Sequence, residues 1–283
     1  MPGTLFLVAT PIGNLADLTA RASETLAGVH FVVCEDTRHT GHLLRRLGLR
    51  KETVSLPAFA EKERAGRILE RLERGEDAAL VTDAGMPGVS DPGEVLVALA
   101  VGRGIRVVPV PGASAVVAAL AASGLPTGRF HFLGFLPRSG PERRQMLEEV
   151  APLRASVVLY ESPRRLEDTL GLLASILGDR RAVVARELTK LHEEFVRGTL
   201  LQLAARYASR PPLGEVVVVV EGATGGGRWA ESEVRAAVRA GLGRGERLKA
   251  LARDVARASG WASGEVYRLG SRLKNDARDA EGW

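Results

Sequence analysis

Short β-branched runs alternate with amphipathic helical segments along the first 110 residues. This alternation is typical of an α/β layer fold with a largely parallel sheet, because each crossover helix returns the chain to the same end of the sheet. The pattern predicts strands over 5–9, 29–34, 78–82 and 105–110, and helices over 23–26, 40–47 and 64–74.

A second series of strands begins after Ser123-Gly124-Leu125-Pro126, where a helix stop is followed by a turn. We therefore expect two α/β domains, an N-terminal domain over 1–118 and a second domain over 119–224. In the second domain the pattern predicts strands over 130–134, 156–160, 182–185 and 216–220, and a helix over 164–177.

The C-terminal segment has only helical periodicity. The glycine-rich stretch 222–227 predicts a flexible linker, and 228–283 is expected to form a basic, all-α extension. Gly260 would end one helix and Ser263 would cap the next, as in a helix-turn-helix. The first of these helices has its apolar face at Leu248, Leu251 and Val255, and the second at Val266, Leu269 and Leu273.

Positive charge is concentrated in this extension. The chain has 39 Lys+Arg and 34 Asp+Glu residues, a formal net charge of +5, and 228–283 alone accounts for +4. Only five of the basic residues are lysines, and an arginine-rich surface suits RNA, although a GC-rich genome also enriches arginine. On the last predicted helix Arg268 and Arg272 share one side, where they would meet RNA phosphates or form a solvated face of a helical cap.

Several protein classes are disfavoured by what the sequence lacks. Its single cysteine, Cys34, allows no internal disulfide and is expected to be a buried thiol. There is no run of about 20 apolar residues and no signal-peptide pattern, so we expect a cytoplasmic protein without a membrane partner. Walker A, G-x-G-x-x-G, paired-cysteine, H-E-x-x-H and G-x-S-x-G patterns are missing too, so no metal site, nucleotide triphosphate site or serine hydrolase elbow is predicted.

Three loops rich in glycine and proline each follow a predicted strand. They cover 10–15, 83–93 and 111–114. Loops at the carboxyl ends of strands form the ligand crevice of open α/β sheets, and glycine lets the backbone approach the ligand closely. Each loop alone could be an ordinary turn, but together they predict a ligand site.

Two clusters of mixed charge also follow strands, at 35–39 and at 186–194. Charges of both signs at strand ends indicate either a substrate site or an ion network between domains, and the residues alone leave both open. A third polar segment, 160–165, opens a helix with Arg164 and Arg165, where an anion or solvent would be bound.

At these loops the chain resembles a known family. The motifs are ATPIGNLADLT at 9–19, CEDTRHT at 34–40, TDAGMPGVSDPG at 82–93, PVPGASA at 109–115, SGLP at 123–126, GFLPR at 134–138, LYESPRRL at 159–166 and ARELTKLHEE at 185–194. Together they resemble the tetrapyrrole methylase superfamily and, within it, the group of small-subunit (16S) ribosomal RNA cytidine 2′-O-methyltransferases. The resemblance extends over about 4–221, and the basic tail is similar to that group's C-terminal extension.

The resemblance implies a methyl donor, S-adenosylmethionine, bound in a cleft between the two α/β domains. It further implies that the protein 2′-O-methylates a cytidine in the decoding region, that its partner is the small-subunit RNA or the assembled subunit, and that it forms a homodimer. The donor site would be formed by Pro11, Ile12, Gly13, Asp83, Gly85, Met86, Ser114, Ala115, Tyr160 and Leu188.

Methyl transfer to a ribose hydroxyl needs alignment of the reacting atoms and a proton acceptor. The candidate bases are Glu35, Asp36, His39 and Glu161, with no choice among them. Two alternative functions remain: a methyltransferase that acts on a tetrapyrrole precursor, and a non-catalytic RNA-binding assembly factor. Candidates for phosphate binding, besides the two arginines of the tail, are Arg38, Arg164, Arg165, Arg186 and Lys190.

Overall fold

Two five-stranded sheets lie within the first 222 residues. The computed structural model describes residues 1–209, 212–223 and 229–280, so residues 224–227 of the predicted linker lie outside the described residues. The chain divides into two units, Met1–Gly222 (unit 1) and Ala223–Trp283 (unit 2). In the described ranges no helix is both long and apolar enough to cross a membrane.

The first sheet is entirely parallel, in the order β3-β2-β4-β1-β5. This confirms the predicted fold class. The edge strand β3 was not predicted because it is short and has a single apolar residue, Val54. The strands are β1 (Thr4–Val8), β2 (Phe31–Cys34), β3 (Glu52–Ser55), β4 (Ala78–Leu80) and β5 (Arg106–Val110).

Helices cover both faces of this sheet, because its strands present apolar residues on both sides. Helices α1 (Ala20–Gly28) and α2 (Thr37–Arg46) share a core with one face, and α3 (Glu61–Glu73) and α4 (Glu94–Gly102) share a core with the other. The thiol of Cys34 is buried in the first of these cores, as predicted, and burial raises its pKa.

The second sheet is mixed, in the order β6-β7-β10-β8-β9. Strands β6 and β7 are parallel, whereas β10 is antiparallel to both β7 and β8, and β9 is antiparallel to β8. Its strands are β6 (Phe130–Phe135), β7 (Ser156–Glu161), β8 (Arg181–Arg186), β9 (Glu194–Thr199) and β10 (Val216–Val220).

One helix packs on one face of the second sheet, and three helices cover the other face. The single helix is α5 (Ala115–Ser123), which crosses the domain boundary predicted between residues 118 and 119 and packs against Val158 and Val219. The core on the opposite face includes residues of all three remaining helices, α6 (Pro141–Val150), α7 (Leu166–Leu177) and α8 (Leu200–Ala208).

The described residues of unit 2 form three helices, α9 (Glu231–Gly243), α10 (Leu248–Ser259) and α11 (Ser263–Ala280). The two helices predicted after the linker are confirmed, and α9 precedes them. Gly260 ends α10 in the left-handed conformation, as predicted. The predicted cap is wrong: Ser263 is the first residue of α11, and the backbone N–H of Ala262 donates to the Glu265 carboxylate. The core of the unit includes Val234, Val238, Leu251, Val255, Val266, Leu269 and Leu273.

Candidate ligand site

A pocket of about 460 Å³ opens in unit 1 where strands of both sheets end. The first sheet contributes Ile12 after β1, seven residues of the 83–91 loop after β4, and Ser114 after β5. The second sheet contributes the ends of β6 and β7 and the start of β10, which begins at this edge because it runs antiparallel. The volume is within the range of roughly 300–1,000 Å³ typical of ligand pockets.

The loop after β4 is held against the loop after β1 by backbone hydrogen bonds. The N–H of Thr10 donates to the carbonyl of Gly85 at 2.9 Å, and the N–H of Gly85 donates back at 3.1 Å. The Thr10 hydroxyl donates to the carbonyl of Thr82 at 3.0 Å. Gly85 has φ +86°, a conformation that favours glycine, so this close pairing explains the glycine in the motif.

The far end of the same loop is held by Glu61, the first residue of α3. The residue is 8% exposed, and Oε1 accepts hydrogen bonds from the N–H groups of Gly93 and Leu96, both at 3.0 Å. These two groups belong to the N-terminal end of α4, where backbone N–H groups have no partner within the helix. Glu61 therefore caps a helix other than its own and fixes the end of the pocket loop.

On the opposite wall, the loop after β8 is stabilised by Glu187. Its Oε1 accepts from the Glu215 N–H at 3.0 Å and from Lys190 Nζ at 2.9 Å, and Lys190 also contacts Glu215 at 3.1 Å. Glu187 and Thr189 adopt left-handed backbone conformations, with φ of 51° and 64°. Much of the mixed-charge cluster at 186–194 is therefore an internal network that shapes the pocket wall.

Carboxylates dominate the charge of the pocket. The pocket is lined by Asp83, Asp91, Glu161 and Glu215. Among the described residues, no lysine or arginine lines it. Desolvation raises the pKa of Asp83, with His39 opposing the rise and Asp36 adding to it. Burial also raises the pKa of Asp91. A carboxylate held in a partly dry site gains most from a positively charged guest, so the pocket favours a cation.

Glu161 ends a buried polar network behind the pocket. The residue is 2% exposed, Oε1 accepts from the Ser162 N–H at 2.7 Å, and Oε2 accepts from the Thr169 hydroxyl. The Thr169 oxygen in turn accepts from the Arg143 guanidinium at 2.7 Å. Arg165 Nε lies 3.4 Å from Oε1. Both oxygens of Glu161 are thus engaged, which fixes the orientation of its carboxylate.

Eight of the ten predicted donor residues line the pocket, while Pro11 and Gly13 do not. Gly13 instead packs against the β8 loop, where an added Cβ would lie 2.9 Å from the Leu188 carbonyl oxygen. The eight that line it are Ile12, Asp83, Gly85, Met86, Ser114, Ala115, Tyr160 and Leu188. Residues not predicted but present in the lining include Val89, Ser90, Asp91, Phe135, Gly214 and Glu215.

Of the four candidate bases, only Glu161 lines the pocket. Asp36 caps α2 by accepting from the Arg38 N–H at 2.8 Å, and the Arg38 side chain pairs with it at 3.0 Å. The hydrogen bonds from Arg38 lower the pKa of Asp36 to about 2, so this carboxylate binds a proton weakly. Glu35 and His39 are exposed.

Some of the candidate phosphate-binding residues already form ion pairs with carboxylates of the protein, and others do not. Arg186 pairs with Glu194 at 3.2 Å, and Lys190 and Arg165 are bound within the networks above. The side chain of Arg164 is exposed. In unit 2 both Arg268 and Arg272 are exposed on α11. Among the residues that the structure describes, no group of His, Cys, Asp or Glu side chains could hold a metal ion.

The protein therefore has an α/β fold in which strands of two sheets end around a carboxylate-lined pocket. Such a pocket suits a small cationic ligand. The sequence places it more closely: the family model of tetrapyrrole (corrin/porphyrin) methylases matches residues 4–204. Because this match spans well over half of the chain, the protein belongs to that family.

Two relatives support this placement, and a solved structure shares the fold. A Synechocystis protein called ribosomal RNA small subunit methyltransferase I is 42% identical over 97% of this chain and 99% of its own length. A Thermotoga maritima protein of the same name is 44% identical over 78% of this chain and 99% of its own length. The crystal structure of uroporphyrin-III C-methyltransferase from Thermus thermophilus, complexed with S-adenosylhomocysteine, has a TM-score of 0.55 and 21% identity, covering 77% of this chain and 97% of that one.

Proposed function

We propose that this chain transfers a methyl group from S-adenosylmethionine to small-subunit ribosomal RNA. The observation that carries the proposal is the pocket at the strand ends, where Asp83 and Asp91 have no ion-pair partner among the described residues, whereas Glu161 and Glu215 are paired. S-adenosylmethionine has a sulfonium and an ammonium cation, whereas a nucleotide triphosphate would be repelled by this lining. The names of the relatives support the acceptor.

The residues present fit this donor. Ile12, Leu188 and Val89 offer apolar surface for the adenine ring, and Asp83 and Asp91 offer charge for the ammonium group or the ribose hydroxyls. When bound, the donor supplies a methyl group on a sulfonium centre, which leaves alignment as the main task of the protein.

The geometry also ranks the proton acceptors. Glu161 has both oxygens engaged, and Asp36 has a pKa of about 2, which makes each a poor base. His39 and Glu35 are exposed and have no ion-pair partner in the described part of the chain. An imidazole or a carboxylate without an ion-pair partner can accept the proton of a ribose hydroxyl, so we favour these two.

Finer parts of the function stay predictions. They are modification of a cytidine 2′-oxygen in the decoding region, a cytoplasmic location, and a homodimer. The test is to incubate the protein with methyl-labelled donor and unmodified small subunits, and then to map the label by nuclease digestion and mass spectrometry. We expect one label on a ribose oxygen. Label on a base would contradict the 2′-O assignment. Absence of donor binding would favour an assembly factor, and methylation of a tetrapyrrole precursor in place of RNA would favour the other alternative.

A charge reversal tests the predicted RNA contact of unit 2. In the full chain, Arg268→Glu with Arg272→Glu should weaken binding to small subunits and make log Kd less dependent on log salt, by roughly 1.4 to 1.8 if two phosphate contacts are lost. The matched control is Arg239→Glu with Arg253→Glu, which changes the same charge at exposed positions of α9 and α10. Equal losses in both variants would show that only net charge matters.

A further inference from the structure

The solvent-exposed face of α2 has only basic and imidazole side chains. At 100° per residue, Arg38, His39, His42, Arg45 and Arg46 fall within one arc of about 120°, and all five are exposed. Thr40 and Leu44 lie on the opposite side and are buried. The helix has three arginines, two histidines and no acidic residue. We call these five positions the α2 basic face.

Two charges of this face are unmatched. In the described part of the chain, neither Arg45 nor Arg46 has a carboxylate within ion-pair distance; Arg45 instead contacts His42 Nδ1 at 2.9 Å. By contrast, Arg71 on α3 is held between Glu52 and Glu76. Arg45 and Arg46 therefore keep their full attraction for an external anion, whereas an arginine such as Arg71 does not.

The face begins beside the pocket. Helix α2 starts three residues after the carboxyl end of β2, at the sheet edge where the pocket loops lie. Within its first turn, His39 is close enough to Asp83 to act on its carboxylate. A helix of ten residues is about 15 Å long, so the face extends from His39 on the pocket side to Arg46 over most of that length.

The length of one relative favours an RNA-contact surface in unit 1, given the function proposed above. The Thermotoga maritima relative matches over 99% of its own length but over only 78% of this chain. About a fifth of this chain, the size of unit 2, therefore has no counterpart in it. If both proteins act on the same class of RNA, the contacts essential to binding lie in the part that they share.

We infer that the α2 basic face binds the phosphate backbone of the acceptor RNA on the strand that leads to the nucleotide facing the donor, with Arg45 and Arg46 as the principal contacts. Arginine suits this role because its guanidinium binds phosphate bidentately and stays charged at every working pH. The contact orients the RNA strand relative to the donor and gives no base specificity.

The test is a charge reversal in the full chain, Arg45→Glu with Arg46→Glu. We expect binding to unmodified small subunits to weaken about tenfold or more, and the slope of log Kd against log salt to fall by roughly 1.4 to 1.8. The matched control is Arg67→Glu with Arg154→Glu, which makes the same charge change at exposed, unpaired positions of unit 1. Calorimetry with S-adenosylmethionine should give the same affinity for both variants as for the unsubstituted protein.

The outcomes separate this inference from the proposed function. If the unsubstituted protein binds the donor and methylates subunits, but Arg45→Glu with Arg46→Glu keeps the full affinity and salt slope, the inference is wrong and the function stands. Equal weakening by the control pair would also overturn it, because the effect would then be one of net charge. If the unsubstituted protein neither binds the donor nor methylates RNA, the proposed function fails and the inference fails with it.

Discussion

Replacement of Asp83 by asparagine should weaken binding of S-adenosylmethionine by roughly 10- to 150-fold, the equivalent of losing one charged hydrogen bond worth about 1.5–3 kcal/mol. Asp83 lines the pocket, and partial desolvation raises its pKa although the residue is exposed, so a cationic guest would stabilise its ionised form. Asparagine keeps the shape and removes the charge. Isothermal calorimetry on the purified protein measures the change directly.

The pH dependence follows from the same carboxylate. A cationic donor binds the ionised form, so donor affinity should be present above the raised pKa of Asp83 and should be lost as the pH falls through it. Asp83→Asn should make this dependence shallower; Asp91, whose pKa burial also raises, retains part of it.

The control for this prediction is Glu94→Gln, an exposed acidic residue at the start of α4 outside the pocket lining. It should leave donor affinity and its pH dependence unchanged. Unchanged affinity in Asp83→Asn would show that the donor does not use this carboxylate, and the assignment of the pocket would have to be abandoned.

The strands and the pocket loops could be predicted because their causes are local. A run such as Val216–Val220 is buried throughout, and it has no other stable place than a sheet interior. Gly85 and Gly93 have positive φ values that most other residues avoid. Glycines after a predicted strand therefore indicate a turn from the sequence alone. Polar edge strands such as β3 lack the apolar run, and α4, apolar all round, lacks a helical period.

The partners of the charged residues could not be predicted, since they come from distant segments. Arg186, Lys190 and Arg165 stand at strand or helix ends, as phosphate-binding residues do, but each is matched by an acidic residue of the same unit. Glu215, which neutralises Lys190, is 25 residues away along the chain. Conversely, Arg45 and Arg46 look unremarkable in the sequence, and only the fold shows that their charges are unmatched.

Glu61→Ala should lower the free energy of unfolding by roughly 2–5 kcal/mol, because it leaves two buried N–H groups, those of Gly93 and Leu96, without an acceptor. This is a large part of the roughly 5–15 kcal/mol typical of a folded domain. The pocket loop should loosen as well, since Ser90, at φ 62°, holds a conformation that the surrounding contacts must enforce. Urea denaturation measures the stability, and calorimetry the donor affinity.

Two variants separate capping from a general effect of charge. Glu63→Ala removes an exposed acidic residue from the same first turn of α3 and should change stability by no more than about 0.5 kcal/mol. Glu61→Gln keeps a carbonyl oxygen that can accept both hydrogen bonds, so it should recover most of the stability and lose only the attraction of a charge to the helix N-terminus, about 0.3–1 kcal/mol. If the glutamine variant were as unstable as the alanine variant, the charge of Glu61 and not its hydrogen bonds would hold the loop.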